Sequence, residues 1–213
     1  MLRSLSLAAL LGGLILSASA QAVDVDPATY GYPITNPFEA TIATTPPQMR
    51  PYLPSEDDIR QSDYSLTLRP EREFTLPANF WAVKKLTYRM ARQDHPAPLM
   101  FLIAGTGAPY NSSLNEYLKK LFYQAGYHVV QLSSPTSYDF MSAASRYATP
   151  GISQYDAEDL YRVMQAVRAQ NPKVAVTDYY LTGYSLGALD AAFVAHLDET
   201  RRSFNFKKVL LLN

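Results

Sequence analysis

The sequence predicts an α/β fold, in which a mostly parallel sheet is covered by helices on both faces. From residue 98 onward, continuously apolar strand segments such as PLMFLI (98–103) and KVLLL (208–212) alternate with amphipathic helical segments. A strand that is apolar at every position is buried on both faces, which is typical of parallel sheets. With 213 residues, of which 47% are hydrophobic, the chain is large enough for one principal core.

Residues 1–22 have the pattern of a secretory signal peptide. The segment has Arg3 near its start, continues with an apolar stretch over 5–16 and reaches small residues at 18–20. Cleavage is expected after Ala20 or Ala22. An N-terminal membrane anchor is the alternative, but the apolar stretch is short for a bilayer span. No later segment of the sequence is long and apolar enough to span a bilayer, so we expect an exported protein, periplasmic or secreted, that has no transmembrane segment after signal removal.

Residues 23–62 are predicted to form a proline-rich extended arm ahead of a folded domain at 63–213. Each proline fixes its own φ and lacks an amide hydrogen, so the segment cannot be a central strand or a long helix. A proline-rich docking motif for an unknown protein partner is the alternative, which composition alone supports weakly. The seven prolines are Pro27, Pro33, Pro37, Pro46, Pro47, Pro51 and Pro54.

The first elements of the domain are two strands at 64–70 and 80–89, expected to pair in an antiparallel way at the start of the sheet. A buried strand at 98–105 follows. Ser113 and Glu116 have the spacing of a capping box and predict the start of a helix, which Gly126 would end. The expected core stripe of this helix is Leu114, Tyr117, Leu118, Leu121 and Phe122.

The remaining elements continue the alternation of strands and helices. A strand at 127–132 is followed by a long loop over 133–151. The helix that comes next is stopped by Asn171-Pro172. The predicted segments after the loop are a helix at 153–169, a strand at 178–183, a helix at 186–197 and a strand at 208–212.

Ser185 lies in the segment GYSLG (183–187), between a predicted strand and a predicted helix. This is the G-x-S-x-G pattern of a nucleophile elbow, in which Gly183 and Gly187 leave room for a sharp turn and the serine hydroxyl is exposed at its apex. The N-terminus of the following helix favours negative charge at this point. The alternative is a tight turn in which Ser185 only caps the helix.

A second loop at the same edge of the sheet supports this interpretation. The segment IAGTGAPYNSS (103–113) joins a strand to a helix, at the position where an oxyanion donor is expected. The candidate donors are the backbone amides of Thr106, Gly107 and Leu186. A plain glycine turn is the main alternative. The loop lacks the third glycine of a dinucleotide-binding fingerprint, and no phosphate-binding G-x-x-x-x-G-K-S/T segment occurs.

On these motifs, residues 80–213 resemble the N-terminal two-thirds of an α/β-hydrolase. The resemblance rests on the strand ending in FLIAGTG, the helix after it, the strand HVVQL and the segment YYLTGYSLGA. It implies a serine esterase, lipase, thioesterase or peptidase that needs no cofactor and acts on a small-molecule or lipid-like ester. It does not identify the substrate.

The base of a catalytic triad is not found within these residues. The family order is Ser, then Asp or Glu, then His. His196 lies eleven residues beyond Ser185 on one predicted helix, about 16 Å away. His128 begins a strand at the opposite edge of the sheet, and His95 precedes the strand at 98–105. Asp139 is at the functional edge but lacks a histidine partner.

Two interpretations follow. In the first, the chain is truncated, and the acid and the histidine lie beyond Asn213. In the second, the hydrolase fold is catalytically inactive and serves as a binding or scaffold domain. The apolar ending KVLLLN favours the first, because a sheet that stopped there would expose an apolar edge strand.

Composition excludes several other functions. Lys plus Arg and Asp plus Glu both total 19, so no net charge attracts nucleic acid. The chain has no cysteine, and no cluster has metal-ligand spacing, so no metal or cofactor is expected. Asp156, Asp159 and Asp190 fall on predicted helices, where we expect solvent-facing charges or first-turn partners of the helix dipole.

Overall fold

The computed structural model describes residues 31–43, 45–69 and 84–213. They belong to two units, Met1–Pro51 and Tyr52–Asn213. The predicted signal peptide, the first eight residues of the arm and part of the strand expected at 80–89 lie outside the described residues. The second unit begins at Tyr52, whereas we expected the folded domain to begin at residue 63.

In the first unit, the described residues contain one short α-helix and one turn of 3₁₀ helix. Helix α1 (Pro37–Ile42) starts at Asn36, whose side chain accepts hydrogen bonds from the amides of Phe38 and Glu39. Proline is favourable at the first helical position because its missing amide hydrogen would have no partner there. The 3₁₀ helix covers Pro47–Met49. The proline-rich composition is therefore compatible with short helices.

The described residues of the second unit, 52–69 and 84–213, form six strands and four helices. The strands are β1 (Gln61–Leu66), β2 (Leu86–Ala91), β3 (Ala97–Ile103), β4 (His128–Leu132), β5 (Val176–Tyr184) and β6 (Lys208–Leu212). The helices are α2 (Ser113–Gln124), α3 (Tyr138–Ala143), α4 (Ser153–Gln170) and α5 (Leu186–Arg201).

The six strands form one sheet in the order β1-β2-β4-β3-β5-β6. β2 pairs antiparallel with both β1 and β4, whereas β4, β3, β5 and β6 are parallel to one another. The mostly parallel sheet and its antiparallel start are therefore confirmed. Because β3 and β5 are parallel neighbours, with Ile103 paired to Gly183, the loops that follow them lie side by side at one edge.

Helices cover both faces of the sheet. Phe101 of β3 belongs to a core that includes Leu160 of α4 and Val194 of α5. The adjacent Leu102 belongs to a second core, with Leu118 of α2. Successive strand residues point to opposite faces, so α2 lies on one face and α4 and α5 lie on the other. This confirms the predicted fold class.

The start and the buried face of α2 differ from the prediction. The residue that caps the helix is Ser112, and its side chain makes no capping bond, so the capping box of Ser113 and Glu116 is absent. Leu114 and Tyr117 are 43% and 41% exposed, while Asn115, Leu118 and Lys119 are buried. Leu118, Leu121 and Phe122 pack in the second core as predicted, so only Leu114 and Tyr117 were assigned wrongly. Lys119 is buried because it finds polar partners, and paired polar groups can be buried. These partners are Glu56, Gln61 and Glu116.

The bounds of other elements also differ from the prediction. The loop at 133–151 contains the short helix α3, and α5 continues to Arg201. β6 lies at the end of the strand order, and its residues Leu210 and Leu211 are 45% and 49% exposed. Among the described residues, no helix has the length and apolarity needed to cross a membrane.

Candidate active site

Ser185 occupies a sharp bend between β5 and α5. Its φ and ψ are 54° and −127°, a conformation that residues other than glycine rarely adopt. The Ser185 side chain is exposed and makes no capping hydrogen bond to the helix. Strained backbone of this kind is concentrated at functional sites. The geometry therefore argues against the alternative in which Ser185 merely caps α5.

The two glycines of the bend are required by close contacts. A Cβ on Gly183 would overlap the carbonyl of Gly187, so a side chain there would prevent the chain from folding back. A Cβ on Gly187 would lie 2.5 Å from the carbonyl oxygens of both Ile103 and Ala104. The glycines thus allow the bend and let α5 begin directly against the end of β3.

A third glycine, Gly105, brings the loop after β3 against the bend. A Cβ at this position would lie 2.7 Å from the ring of Tyr184 and 3.2 Å from the Cβ of Ser185. The role of Gly105 was missed from the sequence, where it was only part of the strand end. Its pairing with the bend depends on β3 and β5 being neighbours, which no local pattern encodes.

The proposed oxyanion donors differ in how their amides are used. The Gly107 amide donates to Thr136 Oγ1 at 2.7 Å. Among the hydrogen bonds of the described residues, none uses the amide of Thr106 or Leu186. The amide of Ser185 itself donates to the Leu212 carbonyl at 2.9 Å, at the end of β6. Unlike the Gly107 amide, the amides of Thr106 and Leu186 therefore have no partner among the described residues that a ligand would have to displace.

The loop that carries Thr106 is held at both ends. At its far end, the Ser112 Oγ lies 2.9 Å from the Tyr184 hydroxyl, next to the bend. The Tyr110 amide donates to Ser133 Oγ at 2.9 Å, and the Tyr110 hydroxyl donates to Asp63 at 2.9 Å. Several independent anchors of this kind fix the position of backbone amides before a ligand binds.

None of the three histidines of the sequence lies beside Ser185. His128, at the first position of β4, is buried; its Nδ1 accepts from the Gln93 amide, and its Nε2 donates to the Ala175 carbonyl. Burial is the main cause of its lowered pKa, so this ring is neutral at pH 7. His95 and His196 have highly exposed side chains away from the carboxyl edge. The sequence-based exclusion of all three agrees with this geometry.

The acidic residues near the carboxyl edge are more buried than expected. Asp139 accepts hydrogen bonds from Ser133 and Ser137. Asp156, Asp159 and Asp190 are 6%, 1% and 2% exposed, so none of them is a solvent-facing charge. Asp156 does lie in the first turn of α4, which is the other expected role. Helix α4 packs against α5, which encloses the face that carries them. Burial raises the pKa of Asp190 to about 7, and the charge of Asp156 adds to this shift.

The described residues contain no group of three or more His, Cys, Asp or Glu side chains that could hold a metal ion.

The fold is similar to that of solved esterases and hydrolases. A dienelactone hydrolase from Anabaena variabilis superposes with a TM-score of 0.51 at 15% identity, over 71% of this chain and 62% of that one. Brefeldin A esterase, a bacterial homologue of human hormone-sensitive lipase, superposes with a TM-score of 0.52 at 17% identity, over 81% of this chain and 44% of that one. Carboxyl esterase 2 from Tuber melanosporum superposes with a TM-score of 0.50 at 16% identity, over 72% of this chain and 45% of that one.

These likenesses establish that the chain has the α/β-hydrolase fold. The chain spans between 44% and 62% of the length of these three structures. A scan against models of protein families found no match. A search among curated proteins also found none.

Proposed function

We propose that the protein is a serine hydrolase in which Ser185 attacks the carbonyl carbon of a small-molecule or lipid-like ester or thioester. The observation that carries this proposal is the strained bend at Ser185, which leaves an exposed hydroxyl without a capping bond. Two further facts support it: Gly105 brings a second loop against the serine, and the solved structures with this fold are esterases and a dienelactone hydrolase.

The proposed reaction proceeds through an acyl-enzyme. Ser185 Oγ bonds to the carbonyl carbon and gives its proton to a base, while the carbonyl electron pair moves to the oxygen. The amides of Thr106 and Leu186 donate to this oxyanion, and each such donor contributes about 3 to 4 kcal/mol in comparable sites. The alcohol or thiol leaves with the proton from the base. Water then adds to the acyl carbon, and the acid is released with regeneration of Ser185.

The base and its acidic partner are proposed to lie beyond Asn213. His95, His128 and His196 are all described and are all placed away from Ser185. The proposed reaction uses neither a metal nor an organic cofactor, because an activated serine and two amides suffice for acyl transfer.

The direct test is covalent labelling of the protein, expressed from its complete gene, with a fluorescent fluorophosphonate. We expect labelling of the wild type and none of Ser185→Ala. Ser203→Ala, which removes a hydroxyl outside the site, is the matched control and should label like the wild type. Equal labelling of the wild type and Ser185→Ala would contradict the proposal.

A second candidate function is a catalytically inactive binding or scaffold domain. The placement of all three histidines away from Ser185 favours it. This candidate predicts that even the product of the complete gene neither reacts with the fluorophosphonate nor hydrolyses esters. The same experiment therefore separates the two functions.

We also propose that the protein is exported, on the basis of the signal-peptide pattern at residues 1–22. Edman sequencing of the mature protein from the periplasm or the medium should begin at Gln21 or Val23. A mature protein that still began at Met1 would contradict export through this signal.

A further inference from the structure

A cavity of about 210 Å³ lies at the edge of the sheet opposite Ser185. It is formed where the chain enters the parallel strands: Gln93–Pro96 precede β3, His128 begins β4, and Val174 and Ala175 precede β5. Pockets for drug-sized ligands usually measure about 300 to 1,000 Å³. This cavity therefore suits a small ion or a small polar group better than an ester substrate.

The charge around the cavity is strongly one-sided. Its lining includes Arg60, Arg92 and Lys173, and within the described ranges none of these three side chains forms an ion pair or a hydrogen bond. The lining contains one carboxylate, Asp94, whose side chain is 84% exposed and lies 4.0 Å from His95. Three cations that have no ion-pair partner among the described residues share one concavity of a chain with no net charge, and together they create a local positive field.

Arg92 is the least exposed of the three cations. Its Nε is buried and has no hydrogen-bond acceptor among the described residues. A buried donor without an acceptor is unfavourable. The guanidinium lies over the ring of Tyr64 at 6.0 Å, and the Arg92 amide donates to the Arg60 carbonyl at 2.8 Å. The two arginines are thus held together at the backbone, and one of them has an unused donor.

His128 contributes shape but no charge to the cavity. Both of its ring nitrogens are engaged by the backbone, through Gln93 and Ala175. Burial lowers its pKa, and the positive charge of Arg92 is among the further causes of the shift. The ring therefore forms a neutral wall, and the positive charge of the cavity comes from the two arginines and the lysine.

We propose that this cavity binds a phosphate-type oxyanion, either free phosphate or the phosphoryl group of a small phosphomonoester. A tetrahedral dianion has enough charge and enough acceptor oxygens for three cations, and the guanidinium fork of arginine matches phosphate oxygens in pairs. An acetate ion carries one charge and two oxygens, so it would satisfy the cations less well.

Isothermal titration of the protein with sodium phosphate at pH 7.5, with ionic strength held constant by sodium chloride, tests the site. We expect saturable binding of one phosphate by the wild type and at least tenfold weaker binding by Arg92→Gln. Since Arg60 and Lys173 are exposed, Arg60→Gln/Lys173→Gln removes charge without disturbing the core and should weaken binding similarly. Lys208→Gln, on β6, is the control and should bind like the wild type.

Two further titrations define the ligand. Glycerol 3-phosphate that binds at least as tightly as phosphate would identify a phosphomonoester as the ligand, and weaker binding would identify free phosphate. Binding of acetate as tight as that of phosphate would overturn the assignment to a phosphate-type ion. The site itself would be refuted by a wild type that shows no saturable phosphate binding, or by cavity variants that bind like the wild type.

Discussion

The hydroxyl of Tyr184 lies 2.9 Å from the Oγ of Ser112, so a hydrogen bond joins the residue before the candidate nucleophile to the end of the loop that carries Thr106. The same Tyr184 ring is the group that a Cβ on Gly105 would contact. Tyr184 therefore links the two loops from which a nucleophile and an oxyanion donor would come. It is a positioning residue in the proposed reaction.

Removing this hydroxyl should slow the reaction without weakening substrate binding. Tyr184→Phe keeps the ring and loses one hydrogen bond, worth about 1 kcal/mol, so we expect kcat for ester hydrolysis to fall roughly fivefold with little change in KM. Ser112→Ala should have the same effect. Because both variants break one bond, the double variant should be no slower than either. If the reductions in kcat of the two single variants instead multiplied in the double variant, the bond between Tyr184 and Ser112 would not be what positions the loop.

Adding a methyl group at Gly187 should destabilise the protein. In most helical positions Gly→Ala is stabilising by about 1 kcal/mol. In Gly187→Ala the new Cβ meets two backbone carbonyls at 2.5 Å, and we expect a loss of about 2 kcal/mol or more in the free energy of unfolding. Leu189→Ala, at an exposed site of the same helix, should change it by less than about 0.5 kcal/mol. Urea denaturation measures both, and a stabilised Gly187→Ala would disprove the close contact.

The buried ammonium of Lys119 should matter far more for stability than its exposed neighbour. Lys119 is fully buried and donates to Glu56, Gln61 and Glu116. Burial acts to raise the pKa of Glu56, but the bonds from Lys119, Gln61 and Lys120 lower it to about 2. Lys119→Met removes the ammonium that Glu56 and Glu116 share, although Glu56 keeps Lys120 and Glu116 keeps Arg89. We expect a loss of roughly 1.5 to 3 kcal/mol in the free energy of unfolding, the usual worth of hydrogen bonds to charged groups.

Lys120→Met is the matched control, since Lys120 also contacts Glu56, at 2.9 Å, but remains partly exposed. A surface pair of this kind contributes about 0 to 1 kcal/mol. Chemical denaturation that gave equal losses for the two variants would contradict the structural role assigned to Lys119.

Asp190 should make the protein less stable as the pH rises. Burial raises its pKa from 3.8 to about 7, so between these values the folded state holds a proton that the unfolded state has released. Stability from this group is therefore full below 3.8 and is lost as the pH rises toward 7. Asp190→Asn removes the titration.

Denaturation at pH 5 and pH 8 tests this expectation. Relative to the wild type, Asp190→Asn should gain roughly 2 kcal/mol in the free energy of unfolding on going from pH 5 to pH 8. The neighbouring Asp156 is retained in both proteins, so it does not account for the difference. An identical difference between the two proteins at both pH values would refute the raised pKa.

The parts of the fold that the sequence predicted are those encoded locally. Continuous apolar runs predicted β3 and β4, and the GYSLG segment predicted the bend at Ser185, because each depends on residues within one strand or turn. The strand order places β3 beside β5 and brings Gly105 to Ser185, and this contact depends on residues far apart in the chain.

The wrong predictions share one cause. Asp190 was expected to face solvent, and the burial of Lys119 was not predicted. In both cases the reason is that a charged residue on a helix is usually exposed. Their burial depends on distant groups: Glu56 and Gln61 for Lys119, and helix α4 for Asp190. Helical periodicity contains no information about such partners, so it could not predict that Lys119 is buried on α2 while Leu114 and Tyr117 remain exposed.

The central claim is that the Ser185 hydroxyl forms the acyl-enzyme. Mixing the product of the complete gene with 4-nitrophenyl acetate, quenching with acid within milliseconds and digesting with trypsin tests it. Peptide 174–201 has Ser185 as its only serine. The account predicts that mass spectrometry finds one acetyl group on this peptide, at Ser185, in the wild type and none in Ser185→Ala. Release of 4-nitrophenol in catalytic turnover with the acetyl group on another residue, or at an unchanged rate in Ser185→Ala, would contradict the account.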